Sequence, residues 1–244
     1  MQSFAPRSVP PRNALEWMRE GARLVWRKIM VHAAVSVAMF GVVAFVQDDV
    51  AGILMFLLAP LFAAVFVVVA ESTDRSIGLR QAVVGARAGL LRVLLFSAGM
   101  FMVLATIGGI CAFLDGAFQM DDQQRTIDMA RYLLVAPAES IALAEWFVIP
   151  VFLLGLPLAV VGRIPLASTW RLGLDAYRKN LFIGGLSLVA AVAIIGGMIA
   201  LAGFSAIALY PLTGATMYVA YRDVFLGVPP QKMPKANRVE SFQA

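Results

Sequence analysis

The chain has 244 residues, of which 61% are hydrophobic and 14% charged, and its mean hydropathy is +0.82. Because soluble domains are about one quarter charged, this composition excludes an ordinary soluble protein and predicts an integral membrane protein. The net charge of +5 does not indicate nucleic-acid binding, because the basic residues lie in short segments beside apolar runs, as topology signals do.

The amino-terminal region predicts an irregular tail followed by a surface helix. Residues 1–12 are rich in proline and should lack regular structure. Asn13 is placed to cap the helix that follows, with Glu16 three positions later. Apolar residues then recur every three to four positions along residues 15–29, while Glu20 and the other charged residues face away. This pattern predicts an amphipathic helix at the membrane surface, and a groove on a soluble partner is the alternative.

Six apolar runs approach the length of about 20 residues that crosses a bilayer. They cover residues 30–47, 51–70, 93–114, 140–161, 181–202 and 205–221. We therefore predict an all-α, polytopic membrane helix bundle, with six transmembrane helices arranged as three hairpins. No cleavable signal peptide is expected, because the region before the first run is longer than the amino-terminal part of a signal sequence.

The distribution of basic residues predicts the orientation of these spans. Eighteen of the 20 Lys and Arg residues lie outside the apolar runs on one side, and only Arg125 and Arg131 lie on the other. The basic segments are residues 1–29, 71–92, 162–180 and 222–244. Since positive residues stay inside, both termini should be cytoplasmic.

The stretch 165–223 has weaker copies upstream, which predicts an internal triplication. The copies align at Gly21, Gly85 and Gly173, and each is a cytoplasmic amphipathic interfacial helix followed by a hairpin. The outgoing spans share a Pro-Leu pair at 60–61, 157–158 and 211–212. The predicted repeats cover 13–70, 78–161 and 165–222, within one membrane domain at 13–228 that precedes a disordered cytoplasmic tail at 229–244.

Small residues and prolines inside the spans predict how the helices pack. Two pairs of small residues are spaced four apart and should let two helix backbones approach closely. They are Ala105 with Gly109 and Ala193 with Gly197. Prolines predict helix kinks at four positions, Pro60, Pro150, Pro157 and Pro211. Such broken helices can also mark a transport site, but packing is favoured because no acidic, basic or amide residue lies beside these prolines.

Few residues offer chemistry. Glu145 lies inside a predicted span, so it is the candidate functional intramembrane acid, although it can also reach the far interface. Arg163, Arg171 and Arg178 are candidate contacts for anionic lipid, with ordinary orientation charges as the alternative. The single histidine, His32, is expected to snorkel to the interface. The sequence contains no catalytic, metal-binding or cofactor-binding motif, so we expect a non-enzyme without catalytic residues, metal or cofactor.

The pattern of residues 17–26, from Trp17 to Trp26, precedes spans with Pro-Leu pairs and basic interfacial helices. This combination resembles a family of uncharacterised six-span proteobacterial inner-membrane proteins. It is also distantly similar to the repeat-built membrane domain of bacterial glycerophosphodiester phosphodiesterases. The resemblance implies an inner-membrane location, but the phosphodiesterase activity does not carry over because this sequence has no catalytic phosphodiesterase domain.

These observations predict an accessory or scaffold subunit of a membrane complex, or a role in envelope lipid homeostasis. The scarcity of polar residues in the spans favours this prediction, because a pathway for polar solutes needs them. The expected partners are the lipid bilayer and other inner-membrane proteins, and not nucleic acid. A small transporter or lipid-handling protein is the alternative, and an immunity protein against a membrane-targeted toxin is a further one. A site should lie where the three copies meet.

Overall fold

The computed structural model describes residues 5–44, 48–119, 153–185 and 205–231, and all regular structure in these ranges is helical. The helices are α1 (Asn13–Arg27), α2 (Ile29–Ala44), α3 (Asp48–Asp74), α4 (Leu79–Gln119), α5 (153–160), α6 (Leu166–Lys179) and α7 (Ser205–Leu226), with one more helical stretch at 182–185. The prediction of an all-helical chain is confirmed over these residues.

One helix among the described residues passes a test of length and apolar composition for crossing a membrane. It is the part of α4 from Leu79 to Gly99, while Ile29–Met39 in α2 is a shorter apolar helix. The number of six spans therefore stays a prediction.

The packing centre is α7, which contacts α1, α2 and α3, while α3 also packs on α4. Small residues let these helices approach closely. A Cβ added at Gly214 of α7 would lie 2.5 Å from Cβ of Phe66 on α3. A Cβ added at Gly21 of α1 would lie 2.9 Å from the backbone nitrogen of Thr216 on α7. These glycines therefore set the distances between helices, as small residues do in membrane proteins.

The first and third predicted repeats break their helices with the same geometry. Lys28 ends α1 with φ −131° and ψ 44°, and Asn180 ends α6 with φ −136° and ψ 56°. In both, the backbone N–H donates to the carbonyl three residues earlier, Val25 or Tyr177. A helix then resumes at once, at Ile29 and at residue 182.

The second predicted repeat differs, because its surface segment and its first span form a single helix. α4 runs without interruption for 41 residues from Leu79 to Gln119. The prediction of a separate interfacial helix here is wrong. The physical reason is that Ala82, Ala86 and Val93 are all buried on one face of the helix, so the same packing continues across the predicted boundary.

Three helices end at a residue in the left-handed backbone region. Ser76 follows α3 with φ 54°, Arg163 follows α5 with φ 55°, and Gly227 follows α7 with φ 69°. Ser76 follows Pro60 at the same spacing as Gly227 follows Pro211. Both prolines lie inside unbroken helices, and the kinks assigned to them stay predictions.

Two predictions about α1 need correction. Asn13 does not cap the helix, because the residue before the helix is Arg12 and no side chain caps its amino terminus. Glu20 does not face away with the other charges, because it is buried together with Trp17 and Leu24. The apolar residues of α1 lie on two faces, one against the protein and one exposed, and periodicity alone does not distinguish them.

Candidate functional site where three helix ends meet

A buried ion cluster joins α1, α3 and α7, and we call it the Arg222 network. Nη1 of Arg222 lies 3.1 Å from Oε1 of Glu20 and 2.8 Å from Oδ2 of Asp74. The hydroxyl of Tyr218 donates to the same Asp74 oxygen over 2.8 Å. Only 5% of the Arg222 surface is exposed. Because a buried charge is costly unless it is paired, this geometry fixes the three helices relative to one another.

The two carboxylates keep Arg222 charged. Burial alone lowers its pKa, but the neighbouring Glu20 and Asp74 outweigh burial and raise the pKa above its ordinary value. The other oxygen of Glu20 accepts a hydrogen bond of 2.8 Å from the backbone N–H of Gln231, in the segment after α7. Every ion in the network therefore has a partner, as expected for a structural cluster.

The next residue, Asp223, occupies a separate pocket and is fully buried. Its Oδ2 accepts hydrogen bonds of 2.7 Å from Nδ2 of Asn13 and 2.8 Å from Nε1 of Trp17. Its Oδ1 pairs with the guanidinium of Arg7. The Asp223 carboxylate thus gathers three donors from the amino-terminal part of the chain. It explains why the Asn13 side chain is not free to cap α1.

Residues 5–12 form an irregular segment, which we call the strap, that binds the ends of α6 and α7. The backbone N–H of Val9 donates to Oδ1 of Asn180 over 2.8 Å, and that of Arg7 donates to the carbonyl of Val224 over 3.0 Å. Nζ of Lys179 donates to the carbonyl of Pro6 over 2.8 Å. Because prolines lack an N–H, the strap cannot form a helix of its own and bonds to neighbouring elements instead.

A cavity of about 1100 Å³ lies where α3, α5 and α7 end and α4 begins, and we call it the convergence cavity. Its charged residues are Glu71 and Arg75 from the end of α3 and Arg163 from the turn after α5. Its apolar wall includes Val160 and Phe225. The cavity lies at the ends of the outgoing helices of the three predicted repeats.

The charges in the convergence cavity are only partly balanced. Nη1 of Arg75 lies 3.2 Å from Oε1 of Glu71. Burial raises the pKa of Glu71 above its ordinary value, although Arg75 and Arg163 act in the opposite direction. Within the described ranges, Arg163 forms no ion pair. One carboxylate against two guanidinium groups leaves the lining with a surplus of positive charge.

Arg163 has a strained backbone conformation at the wall of the convergence cavity. Its φ of 55° is a conformation that costs a non-glycine residue about 1–2 kcal/mol. Its Nη2 lies over Gly85 of α4, where an added Cβ would be only 2.7 Å away. Glycine at position 85 therefore leaves the space that the Arg163 guanidinium occupies.

The three arginines predicted to contact lipid do not share one site. Arg163 lines the convergence cavity, whereas Arg171 lines a separate groove of about 520 Å³ on α6, together with Lys179 and part of the strap. Arg178 is exposed on α6 and lines neither. Pro157 is buried inside α5.

Several predicted residues cannot be compared with the structure. Glu145, Pro150, Ala193 and Gly197 lie outside the described residues. Ala105 and Gly109 lie in α4, and their packing lies outside what the structure describes. A close helix approach in the described part of the chain occurs at Gly89, against Val160.

His32 is buried rather than interfacial, which corrects the expectation that it snorkels. It is 1% exposed, and its ring stacks on Phe66 with 6.0 Å between centroids. Its Nδ1 lies 3.1 Å from the carbonyl of Lys28. Packing against α3 therefore holds this ring inside the bundle.

Sequence reasoning missed the Arg222 network and the Asp223 pocket. A signal for them is the pair Arg222–Asp223 itself, which stands between apolar Tyr221 and Val224 at the end of the last apolar run. Two opposite charges in such a context should be buried or paired. The partners could not be found in this way, because Glu20 and Arg7 are about 200 positions away.

Within the described part of the chain, no three His, Cys, Asp or Glu residues are grouped as metal ligands would be. Comparison with protein-family models, with curated proteins and with solved structures found no match. The chemical character of the site is therefore read from its own geometry.

Proposed function

We propose that this chain is a multi-pass bacterial inner-membrane protein that acts without catalysis, as an accessory or scaffold subunit of a membrane complex or in envelope lipid homeostasis. The observation that carries the proposal is an apolar stripe on the outside of α4. Val84, Leu91, Leu95 and Met102 recur at helical spacing on one face, and each is between 59% and 67% exposed. Such a face requires lipid or a partner to cover it.

The distribution of polar groups supports a membrane environment. The ions of the Arg222 network are inside, while Leu15, Trp26 and Met30 are exposed around α1 and the start of α2. A soluble protein has the opposite tendency, because buried charges are costly and exposed apolar groups are not stabilised by water. Trp26 near the start of an apolar helix also fits the aromatic belt of an interface.

The predicted threefold repeat is supported by two local geometries. The left-handed residues Ser76, Arg163 and Gly227 follow the three outgoing helices. The breaks at Lys28 and Asn180 match in both dihedral angles and hydrogen bonding. Three hairpins with six spans would place both termini on the same side of the membrane. The contact between Arg7 and Asp223 agrees with that topology.

Fractionation and topology mapping test the membrane proposal. The protein should remain in the membrane pellet after carbonate extraction, and cysteines placed at positions 12 and 230 should react with impermeant reagents only in inside-out vesicles. Release by carbonate would overturn it. For the scaffold role, purification in mild detergent should recover the same partner proteins reproducibly, and a partnerless monomer in repeated purifications would count against it.

A lipid-handling protein or small transporter is the second candidate, and the convergence cavity favours it. A scaffold needs no cavity lined by both charged and apolar residues, whereas a protein that binds or moves an amphiphile does. Glu145→Gln should abolish a pH-dependent flux in proteoliposomes if the protein transports a solute by a proton-linked mechanism. Unchanged flux would remove Glu145 from that mechanism.

A further inference from the structure

We infer that the convergence cavity binds the headgroup of an anionic phospholipid, with the lipid phosphate held by Arg163 and Arg75. This inference rests on the proposed membrane location and names a ligand for the site. It assigns the apolar wall of the cavity, including Val160 and Phe225, to the acyl chains. The chemical feature that a ligand of this cavity must carry is a negatively charged phosphate group.

Arg163 differs from other arginines at this end of the bundle. Arg222 of α7 and Arg7 of the strap both pair with carboxylates. Arg163 forms no ion pair within the described ranges and lies in a strained left-handed conformation. The left-handed conformation is the helix-ending geometry that Arg163 shares with Ser76 and Gly227, so what points to a ligand is the guanidinium without an ion pair at the cavity. A guanidinium is also well shaped for two hydrogen bonds to one phosphate.

The composition of the lining also favours an anionic lipid. The cavity combines a surplus positive charge at Arg75 and Arg163 with a wall of apolar residues from α4, α5 and α7. A free phosphate would leave that wall bare, and an uncharged lipid would leave the guanidinium groups unpaired. An anionic lipid satisfies both parts. Anionic lipids are present in the cytoplasmic leaflet, whose negative charge attracts basic residues.

Glu71 also bears on ligand binding. Its carboxylate already pairs with Arg75 at 3.2 Å, so it competes with a bound phosphate for that guanidinium. Removing the carboxylate should therefore strengthen lipid binding, whereas removing Arg163 should weaken it. Both directions would also follow from net charge alone, so the discriminating control is Arg87→Gln, which removes a positive charge that does not line the cavity.

The experiment measures lipid retention by the full chain in detergent, using native mass spectrometry. The probes are phosphatidylglycerol, phosphatidylcholine and inorganic phosphate. The expected result is that phosphatidylglycerol is retained and phosphatidylcholine is not. Inorganic phosphate at millimolar concentration should displace it weakly. Arg163→Gly should reduce retention by at least about tenfold, as expected for the loss of a charge-assisted hydrogen bond, and Glu71→Gln should increase it.

Arg163→Gly is a sharp test because glycine also relieves the positive φ, so the variant should fold as well as the parent. Arg87→Gln removes an exposed arginine of α4 that does not line the cavity, and it should leave retention unchanged. Equal retention of both lipids would overturn the inference. So would full retention by Arg163→Gly, or displacement by inorganic phosphate as effective as that by the lipid. Since carbonate extraction tests membrane location separately, the two proposals can fail independently.

Discussion

Arg222 and Arg163 both follow the apolar part of an outgoing helix, yet their surroundings are opposite. Arg222 is buried between Glu20 and Asp74 in a relaxed helical backbone. Arg163 is exposed at a cavity, has a left-handed backbone and forms no ion pair within the described ranges. Two arginines at related positions can therefore serve the fold or a ligand, and their partners decide which.

This difference can be expressed as a rule for the whole site. A guanidinium whose charge is already balanced by the protein cannot be removed without leaving buried carboxylates behind. A guanidinium without a partner can be removed at little cost to folding. Removing Arg222 should therefore lower the free energy of unfolding steeply, whereas removing Arg163 should raise it. Of these two arginines, only Arg163 should affect lipid binding.

The largest effect is expected for Arg222→Met. Glu20 and Asp74 would stay buried without their cation, and breaking a buried ion pair from one side costs about 3–5 kcal/mol. The free energy of unfolding in detergent, from denaturant titration followed by circular dichroism, measures this loss. The triple variant Glu20→Gln, Asp74→Asn, Arg222→Met should recover most of it. A triple variant as unstable as the single one would contradict the pairing.

A second large effect is expected for Asp223→Ala, which leaves the donors of Asn13, Trp17 and Arg7 without their acceptor. Each buried donor left unsatisfied costs about 1–3 kcal/mol. The strap should loosen, so trypsin should cleave after Arg7 sooner than in the parent. Glu16→Ala on α1, whose carboxylate pairs with Arg19, is the control and should leave the cleavage rate unchanged. Cleavage at an unaltered rate in Asp223→Ala would show that the strap is held without Asp223.

An intermediate effect is expected for Gly214→Ala, since the added Cβ would meet Phe66 at 2.5 Å. Overpacking of this kind costs about 1–3 kcal/mol. Gly99→Ala on α4 is the matched control, because nothing lies within 4 Å of its added Cβ. It should be neutral or stabilising by up to about 1 kcal/mol, as alanine favours helix. Thermal unfolding of both variants checks the difference, and equal melting temperatures would argue against the close approach of α3 and α7.

The smallest expected effect is a gain in stability of the fold. Arg163→Gly should stabilise the fold by about 1 kcal/mol in the absence of lipid, because glycine adopts φ of 55° without strain. Arg87→Gly lies inside α4 and should instead destabilise by about 1 kcal/mol. The two melting temperatures should move in opposite directions. A destabilised Arg163→Gly would mean that the arginine supports the fold, and the contrast with Arg222 would disappear.

Much of the fold follows from the sequence, because helical periodicity and long apolar runs are local signals. The all-helical character is confirmed for the described residues, and the start of α1 at Asn13 agrees with the prediction. The sequence did not reveal that α4 is continuous, because a charged surface segment and an apolar span can share one buried face. The packing contacts at Gly21 and Gly214 were also hidden, since glycine is abundant throughout the chain.

The alignment of three repeats predicts only that a site should lie where the copies meet, and this stays a prediction. The charged partners were not predictable, because Glu20 on a surface helix has the same local signal whether it faces water or a distant arginine. Burial of His32 was missed for a similar reason, since a histidine near the start of an apolar helix can either reach the interface or stack on a neighbour such as Phe66.

The strap also imposes an order on biosynthesis. Arg7 is made 216 residues before Asp223, its partner. At a synthesis rate of about 5–20 residues per second, this delay is roughly 10 to 40 seconds. Throughout that time, the earliest part of the chain lacks the carboxylate that holds it in place. Only a chain that has been synthesised through α7 can therefore protect Arg7 from protease. Such protection indicates that assembly of the bundle is complete.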